Sequence, residues 1–280
     1  MENTPHTAND QAALWNGPSG HAWVEAQETL DQMLKPFEDL LLAGIPAHAV
    51  HAVLDVGCGT GSTTLAVARM LGTTGHCTGI DISEPMLALA RERAARAGAN
   101  ATFICADAQR YAFEAGTLDA IISRFGVMFF DDAVAAFSNL RGAARPNAAL
   151  RFVAWRSPAE NPFMTTAERA AAPLLPQLPA RQPDAPGQFY FASRDRVHAT
   201  LTNSGWTDIA IESADVTCEF PARALDAYLA RLGPIGSVLR DADDATRARV
   251  TEAIRPAFDR YIQGDTLRFT GACWLATARA

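Results

Sequence analysis

The nine residues Val53, Leu54, Asp55, Val56, Gly57, Cys58, Gly59, Thr60 and Gly61 constrain this chain more than any other stretch. Apolar residues around one aspartate read as a short buried strand. Three glycines at alternate positions break it, and a helical pattern follows from Ser62 through Leu65, Ala66, Ala68, Arg69, Met70 and Leu71. A strand that feeds a glycine-rich turn and then a helix opens a nucleotide-type βαβ unit. Glycine lets the backbone turn sharply and approach a ligand that any Cβ would push away. The dinucleotide fingerprint puts its last glycine at the sixth position; here that position is Ser62, and the additional glycine is Gly61.

The pattern then repeats. Residues 76–82 read as a second strand ending in Asp81, twenty residues beyond Gly61. A carboxylate there reaches both hydroxyls of a ribose. Ser83, Glu84 and Pro85 open a helix with a cap and an early proline, and Gly98 stops it. Residues 101–106 form a third strand leading to Asp107, which reads either as a ligand carboxylate or as a helix cap. Residues 118–123 form a fourth, ending at Ser123 and followed by Arg124 and Phe125. Asp131 and Asp132 open a helix to about residue 144, and residues 149–155 form strand five. This alternation predicts a parallel, doubly wound sheet. Acids at three consecutive strand ends lie where such sheets bind ligands.

The acid-led Gly-x-Gly-x-Gly after a strand resembles the first motif of the class I S-adenosylmethionine-dependent methyltransferases, in their small-molecule, UbiE-like (methyltransferase type 11) group. The resemblance covers residues 50–156 well and the tail more loosely. It implies a Rossmann-like α/β fold whose sheet is mostly parallel, with an antiparallel last strand between strands five and six, plus helical lid segments. The implied cofactor is S-adenosylmethionine. Gly57, Gly59 and Gly61 would pass under its methionine half, with Asp55 helping to hold the amino-acid end. Asp81 would bind the ribose, Ile82 and Met86 would sandwich the adenine, and Asp107 and Ala108 would read its edge. Ser123 completes the cofactor set. The Trp15–Trp23 segment resembles a lid over the pocket; its tryptophans read equally as cover for the sheet edge. Trp15, Trp23, Arg124, Phe125 and Tyr190 are the substrate-side candidates, Arg124 equally as half of an ion pair. The candidate general base is His21.

No Asn/Asp-Pro-Pro-aromatic run follows strand four, and no Pro-Cys pair occurs there, which favours a small-molecule acceptor over a nucleic-acid base. The implied reaction is in-line transfer of a methyl group to oxygen or nitrogen, with carbon an option, of a small aromatic or quinone-like metabolite. Two rivals stand beside it. A nicotinamide-dependent reductase shares the glycine turn and Asp81, but Ser62 replaces its glycine and no Tyr-x-x-x-Lys pair is present; Lys35 is the sole lysine. A non-catalytic cofactor-binding regulator is the other.

Net charge −7 argues against nonspecific binding to nucleic acid or anionic membrane. The five cysteines, at 58, 77, 105, 218 and 273, show no CxxC spacing, so neither a disulfide framework nor a metal site is expected. With no signal-peptide pattern and no bilayer-length apolar run, the expectation is a cytoplasmic monomer or homodimer. Four segments follow: a helical lid over 1–45, with a frayed start to residue 13 and a helix capped by Ser19 and limited by Pro36 and Gly44; a cofactor-binding core over 46–156; a proline-rich insertion over 157–193 with one short helix and the aromatic run 189–191; and a C-terminal part over 194–280. That last part is expected to hold strands at 209–211, 216–220 and 267–276, and helices over 222–263 kinked at Pro256.

Overall fold

The strand read at residues 52–56 is the centre of the sheet. In the computed structural model, which describes residues 8–175, 178, 181–182, 184–240 and 242–280, β1 (Ala52–Val56) pairs in parallel with β2 (His76–Asp81) on one side and β4 (Leu118–Arg124) on the other. β3 (Ala101–Cys105) extends the sheet beyond β2, and β5 (Ala144–Trp155) extends it beyond β4. Next comes β8 (Thr266–Arg279), antiparallel to both β5 and the edge strand β6 (Thr207–Pro221). The order is therefore β3-β2-β1-β4-β5-β8-β6, with the two-residue β7 (Ile262–Gln263) paired to β8. The antiparallel strand between the fifth and sixth is as the resemblance implies.

Helices α4 (Ser62–Leu71), α5 (Glu84–Ala97) and α6 (Ala133–Ala143) connect the parallel strands. Gly98 ends α5 in the left-handed region, φ 59°, as its position predicts. Ser83 holds the cap position of α5, but its hydroxyl is used elsewhere. Asp132 caps α6 by accepting from the Ala135 N–H.

The N-terminal part departs from expectation. It forms three helices, α1 (Ala8–Asn16), α2 (Pro18–Glu25) and α3 (Gln27–Leu42). Residues 8–13, expected to fray, are helical. Gly17 takes the cap position of α2 and Ser19 lies inside it, because Pro18 pre-sets the first helical residue. Pro36 does not end α3; Leu30, Met33 and Leu34 before it and Phe37 and Leu41 after it share one buried stripe that holds the helix together. Residues 1–7, Pro176, Pro179 and Pro183 lie outside the described residues.

The insertion carries α7 (Pro162–Ala171), and α8 (Arg194–Asn203) follows, capped by Ser193. Asn161 is buried and bonds both ways with β8: its Nδ2 donates to the Ala272 carbonyl, and its Oδ1 accepts from the Ala272 N–H, each at 2.9 Å. The two fragments expected at 209–211 and 216–220 are one strand, because β6 bonds along β8 through its polar middle, where backbone groups alone make the ladder. The later helices are α9 (Leu225–Arg231), α10 (Gly233–Arg240) and α11 (Asp244–Ile254). Pro256 ends α11 rather than kinking it, and residues Arg255–Tyr261 continue as a 3-10 segment. Ala171, Leu175, Ile235, Leu239, Val250 and Ile254 bury α7, α10 and α11 against one another.

Candidate functional site

The carboxyl ends of β1, β2 and β4 open onto a cavity of about 680 Å³. Its floor is the glycine turn. Gly57, Gly59 and Gly61 have φ of 67°, 54° and 82°, the left-handed region open to glycine. A Cβ on Gly57 would stand 2.5 Å from the Gly126 Cα, so the turn after β1 and the turn after β4 pass each other with no room for a side chain. Gly57 and Gly59 line the cavity.

Asp81 projects from the end of β2. Its Oδ2 accepts the Gly59 N–H at 2.8 Å and its Oδ1 accepts the Ser83 N–H at 2.9 Å. These bonds tie the glycine turn to the β2–α5 junction and fix the carboxylate against the cavity wall. Burial pushes its carboxyl above the usual range, and the backbone donors partly offset that. Ile82, Met86, Asp107 and Ala108 also line the cavity. Asp107 lines the cavity, and its Oδ1 accepts the Gln109 N–H at 2.9 Å in a tight turn, so it closes a turn rather than capping a helix.

Asp55 sits beneath this floor rather than in the wall. It is 1% exposed; Oδ2 accepts from the Thr64 hydroxyl at 2.7 Å, and Oδ1 has no hydrogen-bond partner among the described residues. Burial raises its pKa to about 7. Ser123 is likewise structural: its Oγ donates to the Val56 carbonyl at 2.7 Å and accepts the Gly126 N–H at 3.1 Å, clamping β1 to the turn after β4. Gly61 is filled against Ala90 and Phe103 on the side away from the cavity.

Trp15, Trp23, Arg124 and Phe125 all line the cavity. Trp15 meets Trp23 and Phe129 edge-on, with centroids 5.9 and 5.3 Å apart. Phe125 has φ 67°, rare for a bulky residue, and its ring stacks on Trp155 at 4.1 Å. Arg124 is nearly buried, with Nη1 3.9 Å from Glu38 Oε2, and Glu38 accepts from the Ser62 hydroxyl at 2.7 Å. The ion-pair reading of Arg124 therefore holds, while its side chain still reaches the wall.

Two candidates fall away from the cavity. His21 is exposed on α2, with Nδ1 2.9 Å from the Gly17 carbonyl, because its helix face turns to solvent while Ala22 and Trp23 turn inward. Tyr190 packs against Phe191, and the Arg196 guanidinium lies over its ring. Its neighbour Phe191 is driven into the core against Phe137 and Phe152, which fixes Tyr190 outside.

Phe129, Trp155, Met164 and Tyr228 also line the cavity, and no local pattern marks them out in the sequence. Glu38 does carry a signal there, as an acid on the buried stripe of α3 next to Phe37.

A family described as a methyltransferase domain matches residues 53–147. The demethylmenaquinone methyltransferase of Staphylococcus aureus is 36% identical over 93 residues, 33% of this chain and 38% of that protein's length. Among solved structures, the YcgJ protein of Bacillus subtilis superposes with a TM-score of 0.57 at 16% identity, covering 88% of this chain and 98% of its own. The [4+2]-cyclase SpnF gives 0.54 at 20%, covering 87% and 79%. These structures share the fold, and the cyclase shows that the fold alone does not name a reaction. The similarity to a methyltransferase domain thus spans residues 53–147, the stretch that holds the glycine turn, Asp81 and Asp107.

Proposed function

We propose that the chain transfers the methyl group of S-adenosylmethionine to a nucleophilic oxygen, nitrogen or carbon of a small aromatic or quinone-like molecule. One observation carries this reading: a single cavity joins the glycine turn, Asp81 and Asp107 to an aromatic wall of Trp15, Trp23, Phe125, Phe129 and Trp155. Its volume lies within the ~300–1,000 Å³ typical of ligand sites. The Staphylococcus aureus relative, 36% identical over a third of this chain, is by name a demethylmenaquinone methyltransferase.

The residues present fit the cofactor. Asp81 is held by two backbone donors and turned to the cavity, suited to a ribose diol. A Cβ on Gly59 would point toward the Met86 sulfur, 3.7 Å away, over the cavity floor. The orphaned Asp55 Oδ1 lies below the turn, where it adds negative charge under a cationic ligand. Ile82 and Met86 supply apolar faces for a purine, and Asp107 an acceptor for its amine. When bound, S-adenosylmethionine supplies a methyl group already activated on sulfur. The protein's task is then alignment and exclusion of water. Trp15, Trp23, Phe125 and Trp155 hold a flat acceptor, and Arg124 sets the charge at the junction of the two halves. Burial holds the Tyr228 phenol well above its usual range, so it stays protonated as a donor to an acceptor oxygen. No histidine lines the cavity among the described residues, so an acceptor that ionises on its own suits this site.

Calorimetry with S-adenosylmethionine and with NADH, on wild type and Asp81→Ala, tests the cofactor. The expected result is micromolar binding of the first, weakened about 100-fold by the substitution, and none of the second. Incubation with naphthoquinols and small phenols, read by mass spectrometry, then tests transfer. NADH binding would overturn the reading in favour of a reductase.

A further inference from the structure

Asn16 is the last residue of α1, is exposed, and does not line the cavity. Its side chain nevertheless makes two long-range bonds. Nδ2 donates to the Ile82 carbonyl at 2.8 Å, and Oδ1 accepts the Glu84 N–H at 2.9 Å. The carboxamide thus clasps the backbone on both sides of Ser83. Ser83 completes the contact from the other direction, its hydroxyl donating to the Trp15 carbonyl at 2.6 Å. Three bonds therefore fasten the α1–α2 corner to residues 82–84.

That peptide is also the one that holds Asp81. The Ser83 N–H donates to Asp81 Oδ1, and Ile82 lies in the cavity wall. On the lid side, Trp15 and the nearby Trp23 form the acceptor wall with Phe129. The fit is close. A Cβ on Gly20 would stand 1.9 Å from the Trp15 carbonyl oxygen and 2.9 Å from Ser83 Oγ. The corner reaches residues 82–84 only because this position is glycine.

We propose that Asn16 is a positioning residue that latches the lid to the ribose-binding junction, so that cofactor occupancy orders the Trp15–Trp23 wall of the acceptor half. The inference rests on the cofactor reading above. A ligand bridging Asp81 and Ile82 fixes residues 82–84; fixed, they present an Ile82 carbonyl and a Glu84 N–H at the spacing the carboxamide needs. The wall is then complete only behind a bound cofactor, and the lid cannot lift without breaking the latch. The consequence is an ordered site, cofactor first and acceptor second. A carboxamide suits this task because it offers a donor and an acceptor in one plane. Aspartate keeps the acceptor for Glu84 but loses the donor to Ile82.

The test uses the full chain with S-adenosylhomocysteine as probe. Amide hydrogen exchange, read by mass spectrometry, is measured with and without it on wild type, Asn16→Ala, Asn16→Asp and Gly20→Ala. In wild type the probe slows exchange at residues 82–84 and across α1 and α2. In each variant it still slows exchange at 82–84, but protection of α1 and α2 is lost, and the probe dissociates about tenfold faster in stopped-flow displacement. Melting temperatures of the ligand-free Asn16 variants stay near wild type, since that side chain is exposed, while Gly20→Ala melts lower because its buried Cβ meets the Trp15 carbonyl. Probe-dependent protection of α1 and α2 that survives in Asn16→Ala and Gly20→Ala would overturn the latch while leaving the cofactor reading intact. Absence of any protection at 82–84 in wild type would overturn both.

Discussion

The Thr64 hydroxyl donates to Asp55 Oδ2 across 2.7 Å, and among the described residues it is the sole hydrogen bond made by a carboxyl 1% exposed to solvent. Burial then dominates, and the carboxyl titrates near pH 7. An acid whose folded pKa is raised keeps a proton that the unfolded chain has lost. Its contribution favours the folded state below about pH 4 and is lost as pH rises through 7. Asp55→Asn should therefore flatten the fall in stability of the ligand-free protein between pH 5 and 8 and raise its melting temperature at pH 8. The bound on the effect is about 4 kcal/mol. Thermal melts across that range check it; parallel curves for variant and wild type would remove the buried charge from the account.

The Glu38–Arg124 pair joins α3 to the end of β4 inside the core. Removing Glu38 strands the Arg124 charge, whereas removing Arg124 leaves Glu38 with Lys35, whose Nζ lies 3.3 Å from Oε1. Glu38→Gln should destabilise by about 2 kcal/mol and Arg124→Met by less, while the double variant costs less than the sum. Urea unfolding of the four proteins measures the coupling. Strict additivity would mean that the two side chains do not act on each other.

Gly126 packs where no Cβ fits. A methyl there would lie 2.5 Å from the Val56 carbonyl oxygen and 2.6 Å from the Gly57 Cα, both backbone atoms that cannot swing aside. Gly126→Ala should cost ~1–3 kcal/mol and weaken S-adenosylmethionine binding, because relief must come from moving the glycine turn. By contrast Gly142→Ala, with open space at its Cβ and a place within α6, should stabilise slightly. Melts and calorimetry on the two variants separate close packing from a general intolerance of substitution.

Asn161 carries the β8 backbone at Ala272 on both its polar atoms. Asn161→Ala leaves the Ala272 N–H without its side-chain acceptor, while the Ala272 carbonyl keeps the Arg156 N–H at 3.0 Å, and should cost ~1–3 kcal/mol. Asn161→Asp restores only the acceptor and should recover part of that loss. A change below 1 kcal/mol in urea unfolding would show that water replaces the side chain at β8.

His21→Ala should leave cofactor affinity and any turnover within about twofold of wild type, since the imidazole faces solvent on α2. Comparing initial rates of the two proteins with a methyl-accepting phenol decides it, and a rate collapse would restore histidine as the base.

The parts of the molecule legible in the sequence are those set by neighbours in the chain. β1, α4 and the stop at Gly98 follow from apolar runs and glycine placement over a few residues. The helix through Pro36 does not, because the stripe that preserves it is buried by the sheet, which no local pattern reveals. The same division runs through the site. Asp81, Ile82 and Asp107 sit at strand ends and Met86 in the first turn of α5, and topology carries them to the cavity. Asp55, two residues before the glycine turn, shares its face of the sheet with Asp81 by register but lies deeper in its strand, where Thr64 in the first turn of α4 covers it. Tyr190, Met164 and Tyr228 depend on how the insertion and α9 fold back. The aromatic run at 189–191 showed that something there is anchored, but not which ring turns inward.

The place of β8 between β5 and β6 has a consequence for how the chain is made. Synthesis delivers β1 to β5 first, and this parallel half pairs within itself in the order β3-β2-β1-β4-β5. β6 then emerges with nothing to pair with, because its partner lies some sixty residues later and takes the β5 edge itself. Until Thr266–Arg279 leaves the ribosome, a growing chain therefore exposes two long unpaired strands at once. Such edges join neighbouring chains readily, so the interval before β8 arrives is when this protein most needs a chaperone.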